Sequence, residues 1–253
     1  MKTNNLGYPR IGNNRELKKA SELYWANQIT ADELLEVGKN IRKKNWLLQA
    51  QSGIDLIPSN DFSFYDQVLD LTLTLGAIPN RYNDFARTNN SLDLYFAMAR
   101  GSQKGEQDVV AMEMTKWFDT NYHYIVPEFV KDQKFELFST KILDEFLESK
   151  KLGIVTKPVL IGPVSYLLLG KEQEEGFHRI DLIQKIIPVY FEILTALQKE
   201  GAEYIQIDEP FLALNLTTKE RNAITFVYNE INTFFPSLKV ILTNYFDCFG
   251  DNL

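Results

Sequence analysis

The sequence predicts an α/β fold of the TIM (β/α)8-barrel type, incomplete at about seven strands. Three observations lead there. Strand-like and helix-like segments alternate along the chain, its 253 residues sit close to the ~250 of one such barrel, and no linker-like change in composition divides it. A doubly wound sheet is the alternative at this length. Seven strands would leave two unpaired barrel edges, which is a pairing and aggregation liability. Either one strand escapes detection or the chain is part of a longer protein, with residues 1–253 as a single truncated barrel.

The first element is a short apolar segment at 6–8, a turn at Gly12 and a helix beginning RELKKASELYWAN. Arg15 and Lys18 are three apart, so on a helix they share a face, and the helix start adds backbone donors to a basic field. Thr30 followed three residues later by Glu33 has the form of a capping box and starts a second helix. Its apolar positions are Leu34, Val37, Ile41 and Leu48, and Gly53 ends it. A short buried strand follows at 54–58, then a loop at 59–62 and a helix at 65–75 closed by Gly76. Residues 79–90 read as a polar loop before the helix SLDLYFAMAR. The stretch 101–108, GSQKGEQD, is the most loop-like of the chain.

Residues 122–126 are strand-like and end at Pro127, with further strands at 135–137 and 158–161 flanking a helix at 140–150. A long amphipathic helix spans 181–200, with Ile183, Ile186, Ile187, Tyr190, Ile193, Leu194 and Leu197 on its buried side. A strand at 204–207 runs directly into Asp208, Glu209 and Pro210. A helix at 219–234 and a strand at 240–243 complete the alternation.

Composition narrows the function. Hydrophobic residues at 45% and charged residues at 24% are those of an ordinary globular chain. Twenty-seven basic against 34 acidic residues give a net charge of −7, which disfavours nucleic-acid or anionic-membrane partners and confines any anion site to a local pocket. The single cysteine, Cys248, cannot form an internal disulfide, and with only His123 and His178 for company it offers no metal-ligand spacing. Neither a signal-peptide core nor an 18-residue apolar run is present, so a cytoplasmic, soluble chain is expected.

Two constellations could carry chemistry. Asp208 and Glu209 lie at the C-terminal end of a predicted strand, where barrels place their sites. Adjacent residues on a strand point to opposite faces, so one carboxylate at most faces the barrel mouth. The other reading is that they cap a loop or pair with an arginine. A glycosidase would need two such carboxyls about 5 to 9.5 Å apart, for which Glu128 and Glu209 are the candidates. The second constellation, Lys116, Trp117, Asn121, Tyr122 and His123, groups a cation, an amide and aromatics suited to a carboxylate or aromatic ligand. Core packing of Trp117 and a structural role for His123 are the plainer readings. No GxGxxG or GxxxxGK[ST] loop is present.

Taken in order, LGYPRIGNNRELKKASELYW, GIDLIPSNDFSFYDQVL, EMTKWFDTNYHYIVPEF, PVLIGPVSYLLLGK and YIQIDEP closely resemble the amino-terminal half of cobalamin-independent methionine synthase, across essentially the whole chain. The resemblance implies a methionine-biosynthetic methyltransferase of two facing barrels that moves a methyl group from 5-methyltetrahydropteroyltriglutamate to homocysteine. It places zinc and homocysteine in the carboxy-terminal half, so this chain is expected to hold no metal, to supply no catalytic residue and to be inactive alone. It further implies that Arg15, Glu16, Leu17 and Lys18 of the RELK motif, Lys116 and Asn121 bind the folate, its polyglutamate tail meeting the cations. The expected partners are that folate and the second barrel. A non-catalytic docking module is the alternative from another class. No catalytic role passes to Asp208 or Glu209.

Overall fold

The computed structural model describes residues 1–103 and 108–252; the centre of the loop predicted at 101–108 lies outside the described residues. Helices α1 (Glu16–Trp25) and α2 (Ala31–Gln51) precede strand β1 (Pro58–Ser59). Next come α3 (Gln67–Thr74), α4 (Asn83–Thr88), α5 (Ser91–Arg100), β2 (Met114–Lys116), β3 (His123–Ile125) and β4 (Glu128–Phe129). Then follow α6 (Lys141–Lys151), β5 (Lys157–Ile161), α7 (Pro163–Leu169), β6 (Lys171–Glu172), α8 (Ile183–Lys199), β7 (Tyr204–Asp208), α9 (Thr218–Phe234) and β8 (Lys239–Thr243).

The central sheet is parallel, in the order β1-β5-β7-β8, and a parallel bridge between Asn4 and Leu56 extends it on the β1 side. Spatial order therefore follows chain order. That is the winding of a barrel, whereas a doubly wound sheet reverses direction at a switch point. The barrel is not closed among the described residues: β2 and β3 form an antiparallel hairpin, β4 and β6 a separate parallel pair, and the expected seven-stranded barrel is here an open parallel sheet.

Local chemistry accounts for most boundaries. The Thr30 hydroxyl accepts the Glu33 N–H at 3.2 Å while the Glu33 carboxylate accepts the Thr30 N–H at 2.7 Å, completing the predicted capping box of α2. Gly53, at φ +77°, supplies the left-handed turn that ends it. The apolar face of α2 differs from the prediction, since Leu48 is exposed and Trp46 is buried, its Nε1–H bonding the Pro58 carbonyl at 3.0 Å. The seven apolar residues predicted for the long helix are all buried in α8, and each contributes roughly 1.5–3 kcal/mol by leaving water.

Three segments depart from the alternation. Residues 79–90, predicted as loop, hold α4. The strand predicted at 135–137 does not form, because Glu136 and Phe138 donate their N–H groups to the Leu75 and Thr74 carbonyls at the end of α3, which satisfies a helix terminus instead of a sheet. Helix α7 went undetected because a short, almost wholly apolar run has no period to read, and all seven of its residues are buried. The main core joins α7, α8 and α9 to the outer faces of β5 and β7, while a second cluster lies among α1, α2, α3 and α5.

Candidate functional site

The inner face of the sheet carries a chain of polar side chains among apolar ones. Residues of like parity on β5, β7 and β8 share it, by the register Ile161 to Asp208 to Thr243. There the Lys157 ammonium, 1% exposed, donates to the Gln206 side-chain carbonyl. The Gln206 amide donates to Asp208 Oδ1 at 2.8 Å and to the Leu6 carbonyl at 3.1 Å, and the Thr243 hydroxyl donates to the same Asp208 oxygen. Burial draws Lys157 down to about 8 against the opposing pull of Asp208 and Asp61. Burial likewise raises Asp208, opposed by its hydrogen bonds from Thr243 and Gln206.

Glu209 turns the other way, as strand alternation requires. Wholly buried, it accepts the Ser165 N–H at 2.7 Å and the Tyr228 hydroxyl at 3.2 Å, so it caps the start of α7. Loss of water outweighs those bonds and pushes its carboxyl up to about 7. The capping reading of the pair thus holds for Glu209. Glu128 is clamped by Arg81 through two bonds of 2.6 and 2.7 Å. With both carboxylates engaged in structure, the glycosidase pairing of Glu128 with Glu209 has no support.

Beyond the C-terminal ends of the strands lies a cavity of about 380 Å³ whose lining includes Arg10, Asp61, Trp117, Tyr124, Asp208 and Tyr245. Asp66 also borders it, but its oxygens cap α3 through Val68 and Leu69 and accept the Ile125 N–H, and burial raises it to about 7. Asp61 accepts the Tyr8 N–H at 2.8 Å, and desolvation lifts it to about 7 as well. Motif reading missed Arg10, Asp61, Lys157 and Tyr245 as site residues. For Asp61 the available signal was its place just past a strand, the same signal that singled out Asp208.

The residues predicted to bind folate fall into two groups. Arg15 is the N-cap of α1 in left-handed geometry, φ 61°, rather than its first helical residue. The simple shared-face argument for Arg15 and Lys18 therefore does not apply. Leu17 is buried against Ile41 and Phe62, and its N–H bonds the Ile11 carbonyl, so it fixes the helix start. Glu16 folds back onto the Asn14 N–H at 2.9 Å, and its own and Asn14's backbone N–H groups hold its carboxyl below the ordinary value. Lys18 is exposed and pairs with Glu22 at 3.5 Å.

Lys116 and Asn121 are exposed on the β2–β3 hairpin, which turns the buried Trp117 inward against Tyr124. Among the described residues no hydrogen bond or ion pair joins this group to the α1 group. The cavity lies between them in the chain's path: residues 6–10 lead from it to α1, and Trp117, Tyr122 and His123 bring the hairpin to it.

Comparison with known proteins assigns the chain. A model of the cobalamin-independent synthase N-terminal domain matches residues 2–253. The chain belongs to the cobalamin-independent methionine synthase family, as its N-terminal domain. A 5-methyltetrahydropteroyltriglutamate–homocysteine methyltransferase of Flavobacterium johnsoniae is 78% identical over 253 residues, covering 100% of this chain and 33% of that protein. Counterparts from Cytophaga hutchinsonii and Saccharomyces cerevisiae are 57% and 49% identical, covering 100% and 98% of this chain and 33% of each. The chain therefore spans about a third of the length of these relatives. A solved structure described as a vitamin-B12-independent methionine synthase of Listeria monocytogenes superposes with a TM-score of 0.57 at 13% identity, over 95% of this chain and 63% of that one. At that identity it supports the fold alone.

Among the described residues no group of three or more His, Cys, Asp or Glu side chains is placed to hold a metal ion. The zinc of the family resemblance has no set of ligands here to fit. No described helix is long and apolar enough to cross a membrane.

Proposed function

We propose that this domain contributes folate-tail binding to a methyltransferase that moves a methyl group from 5-methyltetrahydropteroyltriglutamate to homocysteine in methionine biosynthesis. Residues 1–253 are, in this reading, the greater part of an amino-terminal barrel that works against a second, catalytic barrel carrying the zinc. The observation that carries the binding role is the state of the cations. Arg15 and Lys116 are exposed and have no carboxylate partner among the described residues, and Lys18 has only an exposed partner, Glu22. A polyglutamate tail offers a row of carboxylates for charge-assisted bonds, and exposed cations lose little hydration in meeting them.

The other positions act differently. Leu17 and Glu16 set the geometry of the helix start, and Asn121 adds a neutral amide beside Lys116 on the hairpin. In this reading the zinc and the homocysteine belong to the second barrel, and the chain by itself transfers no methyl group. Calorimetry with mono- and triglutamate forms of methyltetrahydrofolate tests the reading. Tighter binding of the triglutamate supports it, and equal affinity for the two forms defeats the tail-binding role.

A further inference from the structure

We infer that the cavity at the strand ends is a second ligand site, fitted to a free α-amino acid in its zwitterionic form. The inference rests on which charges remain uncommitted around one cavity. Arg10 lines the cavity half-buried, and its guanidinium spends one N–H on the Ser63 carbonyl at 2.7 Å. Among the described residues no carboxylate lies within ion-pair distance of it. A half-buried guanidinium keeps a donor fork that matches a carboxylate.

Opposite charge lines the same space. Asp208 is 5% exposed; its Oδ1 takes both the Gln206 and Thr243 donors, and among the described residues Oδ2 takes none. Asp61 commits Oδ2 to the Tyr8 N–H. Lys157, below them, opposes both charges, and Lys141 and the like-charged Glu145 act on Asp61 in opposite senses, so the uncommitted Oδ2 of Asp208 is the acceptor a cation in the cavity would meet. The walls are Trp117, Tyr124 and Tyr245, whose faces favour an ammonium and an apolar side chain alike. At about 380 Å³ the space lies at the small end of ligand pockets, roughly 300–1,000 Å³. Asp66 takes no part, its oxygens being spent on backbone donors.

An anion alone would face Asp61 and Asp208, and a cation alone would leave Arg10 unanswered. A molecule carrying both charges answers both, and an α-amino acid joins them to an apolar side chain for the aromatic walls. None of Arg15, Glu16, Leu17, Lys18, Lys116 and Asn121 lines the cavity, so this site stands or falls independently of tail binding.

The test is isothermal titration of the 253-residue chain with three probes of equal reach: L-norleucine, n-pentylammonium and hexanoate. The expected result is norleucine binding with Kd at or below about 1 mM, and the single-charge probes at least about tenfold weaker. Arg10→Gln is expected to abolish the preference for norleucine over pentylammonium while leaving pentylammonium unchanged. No norleucine binding, a single-charge probe that binds as well as norleucine, or an unchanged preference in Arg10→Gln overturns the inference. The probe panel on the unaltered chain decides the matter even if the variant fails to fold.

Discussion

Glu209→Gln offers the sharpest test of how the strand end is held. In the folded protein the Glu209 carboxyl sits at about 7, raised from 4.5 chiefly by loss of water. Between those two pH values the folded state keeps a proton that the unfolded chain has released, so stability falls as pH rises from 4.5 to 7 and then levels off. At about 1.36 kcal/mol per pH unit the loss amounts to about 3 kcal/mol. Glutamine binds no proton in this range. Its carbonyl can still accept the Ser165 N–H and its amide can face the Tyr228 oxygen, so a constant cost of about 1 kcal/mol is expected for the imperfect match. Urea unfolding at pH 5 and pH 8 reads the difference. The variant should be about as stable as the parent at pH 5 and gain about 2.5 kcal/mol relative to it by pH 8. An equal gap at both pH values would refute the claim that Glu209 is a desolvated cap.

Three further outcomes are expected. Lys18→Ala should weaken binding of triglutamyl methylfolate more at low salt than at high salt, because ions already screen an exposed contact; titrations at two ionic strengths check this, and a salt-independent loss contradicts it. Trp46→Phe strands the buried Pro58 carbonyl and should cost about 1–3 kcal/mol in urea unfolding. Gly162→Ala should cost clearly more than Gly153→Ala, since a Cβ at Gly162 collides with the Glu209 carboxylate whereas Gly153, at φ +78°, has open space and pays only for its backbone conformation; similar chemical-denaturation midpoints for the two variants would count against the close packing of Gly162 on Glu209.

What could be read from the sequence was what is encoded locally. The capping box at Thr30 and Glu33 and the spacing of Ile183 through Leu197 are short-range patterns, and each forms as written. The strand ending in Asp208 was legible because a buried parallel strand is a short apolar run, and the opposite facing of Asp208 and Glu209 followed from strand geometry alone. Where the pattern lacked a period, as in the PVSYLLL of α7, strand and helix were indistinguishable. Residues 135–138 failed for a different reason, since their backbone partners are the last carbonyls of α3, which no local signal names. The cavity is harder still: its lining comes from the N-terminal segment, the loop after β1, the start of α3, the hairpin, the end of β7 and the turn after β8. Only the fold as a whole brings those six together.

The same contrast explains why the proposed tail contacts differ in character. Both groups depend on a residue that is not glycine in the left-handed region, Arg15 at φ 61° and Phe118 at φ 50°, a conformation costing of order 1–2 kcal/mol each. At the hairpin that cost is offset by rings: Phe118 meets Phe211 and Phe246 edge-on or tilted, and Trp117 stands edge-on to Tyr124, contacts worth about 0.5–1.5 kcal/mol apiece beyond burial. Lys116 and Asn121 therefore project from a backbone fixed by the core that also forms the cavity wall. Arg15 has no such packing; its conformation is set by its N–H bond to the Gly12 carbonyl and by the fold-back of Glu16 beside it. A tail bound by this domain would thus meet one preorganised contact on the hairpin and one adaptable contact at the helix start. On the proposed reading the hairpin would fix where the folate lies, and the helix start would accommodate how long its tail is.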